Sequence, residues 1–211
     1  MATTLTAVPA TPVARTLPQR VRRILLQPAN EWLVIEREER SVADLYLGYI
    51  IPLAALTPVA TLFGTSVLGI TLPFGGSYRV PFASAVVSAL VQYALSLAGI
   101  YVLAVIIDVL APRFAGTKGR LQALKVAAYA STASYIAGIV ALVPALSVLG
   151  IAGLYSLYLI YLGLPVLMRA PRERALAYTA TVVGSAIVLF LVAGLITSRF
   201  VAYPSLSLPV R

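Results

Sequence analysis

Residues 83–110 read ASAVVSALVQYALSLAGIYVLAVIIDVL, a run whose one charged residue, Asp108, lies close to its end. About 20 apolar residues in a helix cross the ~30 Å hydrocarbon core of a bilayer, and this run exceeds that length. It reads as a transmembrane helix, and that reading decides the class of the whole chain. Composition agrees: 60% of the 211 residues are hydrophobic and 11% are charged. A soluble domain of this size exposes too much surface to carry so few charges.

Working outward from this run gives four further spans. Residues 44–68, DLYLGYIIPLAALTPVATLFGTSVL, form the first, with Pro52 and Pro58 inside it as sites of kinking. Ser41 and Asp44 make the Ser-x-x-Asp pattern of a helix N-terminus just before it. The connecting loop, ITLPFGGSYRVPF, places Phe74, Tyr78 and Phe82 where a membrane–water interface favours aromatic rings. A third span runs over 126–149 with Pro144 in its far half, and a tight turn at Gly150 and Gly153 leads to a short fourth span over 154–168. The fifth covers 176–196, and 200–211 form a tail ending in YPSLSLPVR.

The basic residues set an orientation. Arg15, Arg20, Arg22, Arg23, Arg37 and Arg40 precede the first span; Arg113, Lys118, Arg120 and Lys125 follow the second; Arg169, Arg172 and Arg174 follow the fourth. Arg79, Arg199 and Arg211 fall on the other side, so thirteen of the sixteen share one side. The positive-inside rule then predicts a cytoplasmic N-terminus and a C-terminal tail outside. This clustering around apolar runs accounts for the net charge of +9 without a nucleic-acid partner.

Residues 1–20, rich in Thr, Pro and Ala, lack the apolar core of a signal peptide and read as a disordered cytoplasmic tail. Over 21–40 Pro28 interrupts the pattern, Asn30 is placed to cap a short helix, and Trp32, Leu33, Ile35 and Glu36 give one apolar and one charged flank. The headgroup preference of Trp predicts an interfacial amphipathic helix, with docking beneath the bundle as the alternative. The expected architecture is thus all-α: a polytopic bundle of five transmembrane helices over 41–199 preceded by an interfacial helix.

The chain has neither Cys nor His. Disulfides, thiolate metal sites, Cys nucleophiles and Ser–His dyads are therefore excluded. Glu31, Glu36, Glu38 and Glu39 cluster beside Arg37 and Arg40, which reads as a solvated charged face rather than an acid–base pair. No catalytic residue, cofactor site or metal site is predicted, and the chain is read as non-enzymatic. No Asp, Glu, Lys or Arg falls in the middle of a predicted span, which argues against ion-coupled transport.

Polar residues inside the spans are the remaining candidates. Ser84, Ser88, Gln92 and Ser96 recur every four positions and share one helical stripe, suited to interhelical hydrogen bonds or to lining a water-filled path. Ala130, Ser134 and Gly138 give the third span a face for close helix approach. Tyr155, Tyr158 and Tyr161 share a broad face of the fourth span. With Tyr129 and Tyr135 they form either a hydroxyl cluster or ordinary ring packing and interface anchoring.

Several segments resemble the Yip family of Ypt/Rab-interacting membrane proteins, particularly its bacterial branch. The stretch ILLQPANEWLVIERE carries Pro28, Trp32 and Ile35 in the family's order. Asp44, Leu45 and Tyr46, with Gly48 and Pro52 after them, resemble its Asp-Leu-Tyr-Gly-Pro motif, here interrupted by Leu47. Residues 154–179, LYSLYLIYLGLPVLMRAPRERALAYT, are similar to its fourth span and following loop, including Tyr161, Gly163, Leu164 and Pro165. Near Tyr129 the family often has Thr-Pro, where this chain reads YASTAS.

The resemblance implies a five-helix fold with a cytoplasmic N-terminus, in a bacterial inner membrane. It implies little chemistry, although eukaryotic relatives bind small GTPases and organise vesicle traffic. The adaptor or organising role expected here rests on the small-residue packing faces, the basic cytoplasmic side and the absence of charge within the spans. The partners expected are the lipid bilayer and a membrane or cytoplasmic protein. Asp44, Tyr46, Pro52, Tyr161, Gly163 and Pro165 are the candidate partner-binding or structural positions. The alternative role is a passive pathway for a small solute or lipid through the Ser/Gln stripe and the Tyr face.

Overall fold

Proline shapes the first long helix, α3 (Val42–Leu68), into segments. Pro52 has no N–H to donate, and the turn before it, Tyr46–Ile50, widens to a π-helix in which Ile51 N–H reaches the Tyr46 carbonyl. Pro58 acts the same way, and the helix breaks at Ala55 before resuming at Leu56. At the far end a second π-turn, Gly64–Leu68, stops at Gly69, whose φ of 85° suits glycine.

The computed structural model describes residues 15–71, 77–142 and 153–200. Two short helices come first, α1 (Leu17–Leu26) and α2 (Pro28–Arg37). After α3, Ile70–Thr71 (β1) and Ser77–Tyr78 (β2) pair antiparallel with Ile70 opposite Tyr78. Then follow α4 (Phe82–Leu110), α5 (Arg120–Ala130), α6 (Thr132–Gly138), α7 (Tyr155–Leu167) and α8 (Arg172–Phe200). Pro112 closes α4 in a 3-10 turn over Ala111–Phe114, and a second such turn, Ile139–Leu142, follows α6.

Helix α5 is the centre of the bundle: every residue from Ala123 to Ala130 is buried. Its alanines let α3, α4 and α7 approach from different sides, while α8 packs on α4 and α7. Towards the periphery α8 exposes Ile187, Val188, Leu191 and Leu195, as a helix facing lipid would.

Among the described residues three helices are long and apolar enough to cross a membrane: α3, α4 with its 3-10 extension, and α8 up to Ile196. The expected third span differs. Its helix starts at Arg120 rather than Val126 and breaks at Ser131, and Pro144 and Gly150 lie outside the described residues. The break falls where the Thr-Pro pair is missing, and hydroxyls take its place. Ser131 Oγ donates to the Ala127 carbonyl at 2.8 Å and Thr132 Oγ1 to the Tyr129 carbonyl at 2.6 Å. The expected fourth span, α7, has 13 helical residues and a rise of about 20 Å, short of a full crossing.

The N-terminal segment also departs from expectation. Helix α1 begins at Leu17, behind Thr16 as its N-cap, so ordered structure starts within the predicted tail. Pro28 interrupts the segment as expected, opening α2 as its first residue after α1 ends at Leu26, but Asn30 lies inside the helix rather than at its cap. Phe74 and residues 201–211 lie outside the described residues.

The small-residue face is used as expected. At Gly138 a built Cβ would fall 2.8 Å from Thr57 Cβ, so the α6 backbone packs directly on the Thr57 side chain of α3. Ser134 Oγ shares a 2.8 Å hydrogen bond with Ser156 Oγ of α7. Gly138→Ala must push the two helices apart and should destabilise the protein by about 1–3 kcal/mol. Gly48→Ala, where a Cβ meets nothing within 4 Å, should lose no stability by the same thermal unfolding assay in detergent.

Candidate functional site

The charges predicted to be solvated form instead a buried network under α1 and α2. Arg20 is 1% exposed and Glu31 2%. Its guanidinium donates to Glu31 Oε1 at 2.6 Å and to Glu38 Oε2 at 2.5 Å. Arg15 pairs with the other Glu31 oxygen, and Arg40 with the other Glu38 oxygen at 3.1 Å. Charges taken out of water in this way survive only when paired, because desolvation costs several kcal/mol per ion. The expectation of a solvated Glu face therefore holds for Glu39, which is exposed, and fails for Glu31 and Glu38.

Lys125, counted above among loop charges that set topology, is 1% exposed within α5. Its Nζ donates to the Ile35 carbonyl at 3.0 Å and the Glu38 carbonyl at 2.6 Å. It thereby caps the C-terminal end of α2, where carbonyls lack intrahelical partners and the helix dipole favours a cation.

Trp32 completes the dock. It has no exposure, lies edge-on to Tyr129 with centroids 6.4 Å apart, and fills a notch left by Gly163 on α7. A Cβ at Gly163 would sit 2.9 Å from Trp32 Cζ2. Of the two placements weighed for this segment, the buried faces of α1 and α2 fit docking on the bundle, with Trp32 pointing into protein rather than headgroups. Tyr129 packs in turn on Tyr49, the rings tilted at 58° with centroids 4.5 Å apart, and carries the Arg20 guanidinium 5.5 Å over its ring. Arg20 Nε, Trp32 Nε1 and Tyr129 Oη find no hydrogen-bond partner among the described residues. An incompletely satisfied network of this kind fixes register more than it adds stability.

The other candidates fall elsewhere. Asp44 is exposed and makes a capping box: its Oδ2 accepts from Ser41 N–H at 2.9 Å while Asp44 N–H donates to Ser41 Oγ at 3.1 Å. Tyr46 Oη donates to the Leu97 carbonyl at 3.2 Å, pinning α3 to α4. Pro52 is exposed on α3, Pro165 lies half-buried inside α7, and Tyr161 is 38% exposed on α7. Of the six motif positions, Gly163 alone touches the Trp32 dock.

Within the polar stripe, Ser84, Ser88, Gln92 and Ser96 are all half-buried. Ser96 Oγ meets Tyr135 Oη at 3.3 Å, an interhelical bond of the kind expected. The tyrosines do not gather into one hydroxyl cluster. They staple backbone instead: Tyr155 Oη donates to the Leu25 carbonyl at 3.0 Å, and Tyr178 Oη to that of Ile107. Tyr93, absent from the sequence candidates, donates to the Ile51 carbonyl at 3.2 Å, beside Pro52. The Ile51 carbonyl faces the break at Ala55, whose N–H turns to the Leu53 carbonyl instead, and carbonyls left by such a break in a membrane need another donor.

A protein-family model, the Yip1 domain, matches residues 22–195. The chain belongs to the Yip1 domain family. The match starts within α1 and ends within α8, so α2 and the second half of α1 lie inside it, while Arg20 lies just before it. With its apolar helices this makes the chain a membrane protein of the Yip family. No curated protein and no solved structure matches it.

Gly163→Ala should loosen the dock by about 1–3 kcal/mol, because Trp32 is rigid and enclosed. Limited proteolysis between α2 and α3 should then accelerate, and Trp32→Leu in the same chain should restore part of the protection. Unchanged cleavage in Gly163→Ala would remove the notch from this account.

Proposed function

We propose that this Yip1-domain protein is a non-enzymatic membrane adaptor or organising protein of five membrane helices in a bacterial inner membrane. Its thirteen-residue basic side, with α1 and α2, faces the cytoplasm and its C-terminal tail lies outside. The family's non-enzymatic character supports this reading. In a five-span arrangement α5, α6 and the following turn make the third crossing and α7 the fourth, the latter in a locally thinned region.

The observation that carries the adaptor role is the fixed two-helix platform. Buried charge is spent on holding α1 and α2 in register, while their outer side keeps Leu26 69% and Leu33 49% exposed among Arg22, Arg23 and Arg37. A rigid surface of mixed apolar and basic character suits a protein partner with an acidic, partly apolar face. A photocrosslinker at Leu33 in intact membranes should yield one reproducible protein adduct, and the same group at Ile187 on the lipid-facing side should yield lipid adducts only. Lipid adducts alone at both positions would count against the adaptor role.

A second reading, a passive pathway for a small solute or lipid, has the half-buried Ser84, Ser88 and Gln92 in its favour. On that reading purified protein in sealed vesicles speeds solute or lipid movement and Gln92→Leu slows it. Flux equal to that of empty vesicles removes it.

A further inference from the structure

A cavity of about 530 Å³ opens beside the dock, lined by Glu36, Arg37, Thr117, Lys118, Gly119, Gln122, Leu167 and Arg169. Three elements meet there: the end of α2, the loop into α5, and the corner between α7 and α8. We propose that this cavity binds a phosphate group, presented by an anionic lipid headgroup or by a free phosphate ester.

Charge is the first argument. Arg37, Lys118 and Arg169 line the cavity against a single acid, Glu36, and no ion pair among the described residues engages any of the three. Elsewhere at this end of the molecule basic groups are consumed: Arg15, Arg20 and Arg40 by carboxylates and Lys125 by carbonyls. Three cations left facing a common space repel one another unless an anion joins them.

Donor geometry is the second. Helix α5 starts at Arg120 behind Gly119, and Ala123 N–H is the first to close onto the Gly119 carbonyl. The N–H groups of Arg120, Leu121 and Gln122 in the first turn have no intrahelical partner and point out of the helix end, beside Gly119 N–H, which donates to Asp108 Oδ1. Gln122 also lines the cavity, and its Oε1 is buried without a hydrogen-bond partner. A half-turn of that amide exchanges the orphan acceptor for two N–H donors.

The walls are held in place. Thr117 N–H donates to the Met168 carbonyl at 2.8 Å, and Thr117 Oγ1 donates to the same oxygen at 3.3 Å. Asp108 Oδ1 accepts from Gly119 N–H at 2.7 Å, which fixes the start of α5. Gly116 has room for no side chain, since a Cβ would lie 2.9 Å from the Met168 carbonyl. The loop and the α7–α8 corner thus form one preorganised rim, which carries Lys118 on one lip and Arg169 on the other.

The test uses the full chain in nanodiscs, with phosphatidylcholine alone or mixed with phosphatidic acid. Bound lipid is counted by native mass spectrometry after release from the disc. The wild type should retain phosphatidic acid, and Lys118→Gln with Arg169→Gly should lower retention at least about tenfold, two headgroup contacts being lost. Glycine suits the left-handed φ of 52° at residue 169, so that change adds no backbone strain. Arg22→Gln with Arg23→Gln, an equal loss of two charges outside the cavity, should change nothing.

Glu36→Gln should strengthen retention, an opposite sign that unfolding cannot mimic. Inorganic phosphate or glycerol 3-phosphate that displaces the lipid identifies a free phosphate ester as a ligand, and failure to displace it identifies the lipid headgroup. Equal weakening by Arg22→Gln with Arg23→Gln, or wild-type retention in the cavity variant, overturns the proposal in favour of a diffuse basic face.

Discussion

One guanidinium organises the basic end of this protein. Arg20 sits between Glu31 and Glu38 with almost no access to water, and each carboxylate is shared with a second arginine. Each charge finds its compensation inside this one network, and losing a partner would leave a buried charge uncompensated. Helices α1 and α2 are therefore committed to one placement on the bundle. Replacing the whole network by apolar side chains could hold them as well, but with less dictation of register.

That commitment propagates. With α2 in place, Trp32 lies in the Gly163 notch and Lys125 reaches the carbonyls at the end of α2. The end of α2 then forms one wall of the basic cavity, whose other walls come from α5 and α7. Farther into the bundle a different constraint rules. The break at Ala55 in α3 leaves the Ile51 carbonyl without its Ala55 donor, and Tyr93 meets it across a helix interface. Irregular backbone is tolerated there because neighbouring helices supply donors.

Helices set by apolar length alone were legible in the sequence. The limits of α3, α4 and α7 differ from expectation by a residue or two, because a long apolar run has few ways to satisfy its backbone in lipid. Gly138 and Ser134 were legible for a related reason, as small residues four apart share a face. The Arg20 network was not. Arg20, Glu31 and Glu38 are distant in sequence, and a charged segment beside a membrane resembles a solvated face until its partners are known. Lys125 misled by position: one residue before an apolar run, it counts equally as a loop charge or as the first buried turn. The Gly163–Trp32 contact was half visible, with both residues marked by the family resemblance and nothing in the sequence joining them.

The central claim is that buried charge makes α1 and α2 a fixed part of the bundle. Amide hydrogen exchange of residues 17–37 in nanodiscs tests it most directly, comparing wild type with Arg20→Gln. The account predicts slow exchange in the wild type and strong acceleration in the variant, with α4 and α5 unchanged. Fast exchange of α1 and α2 in the wild type, or equal protection in both proteins, would contradict it.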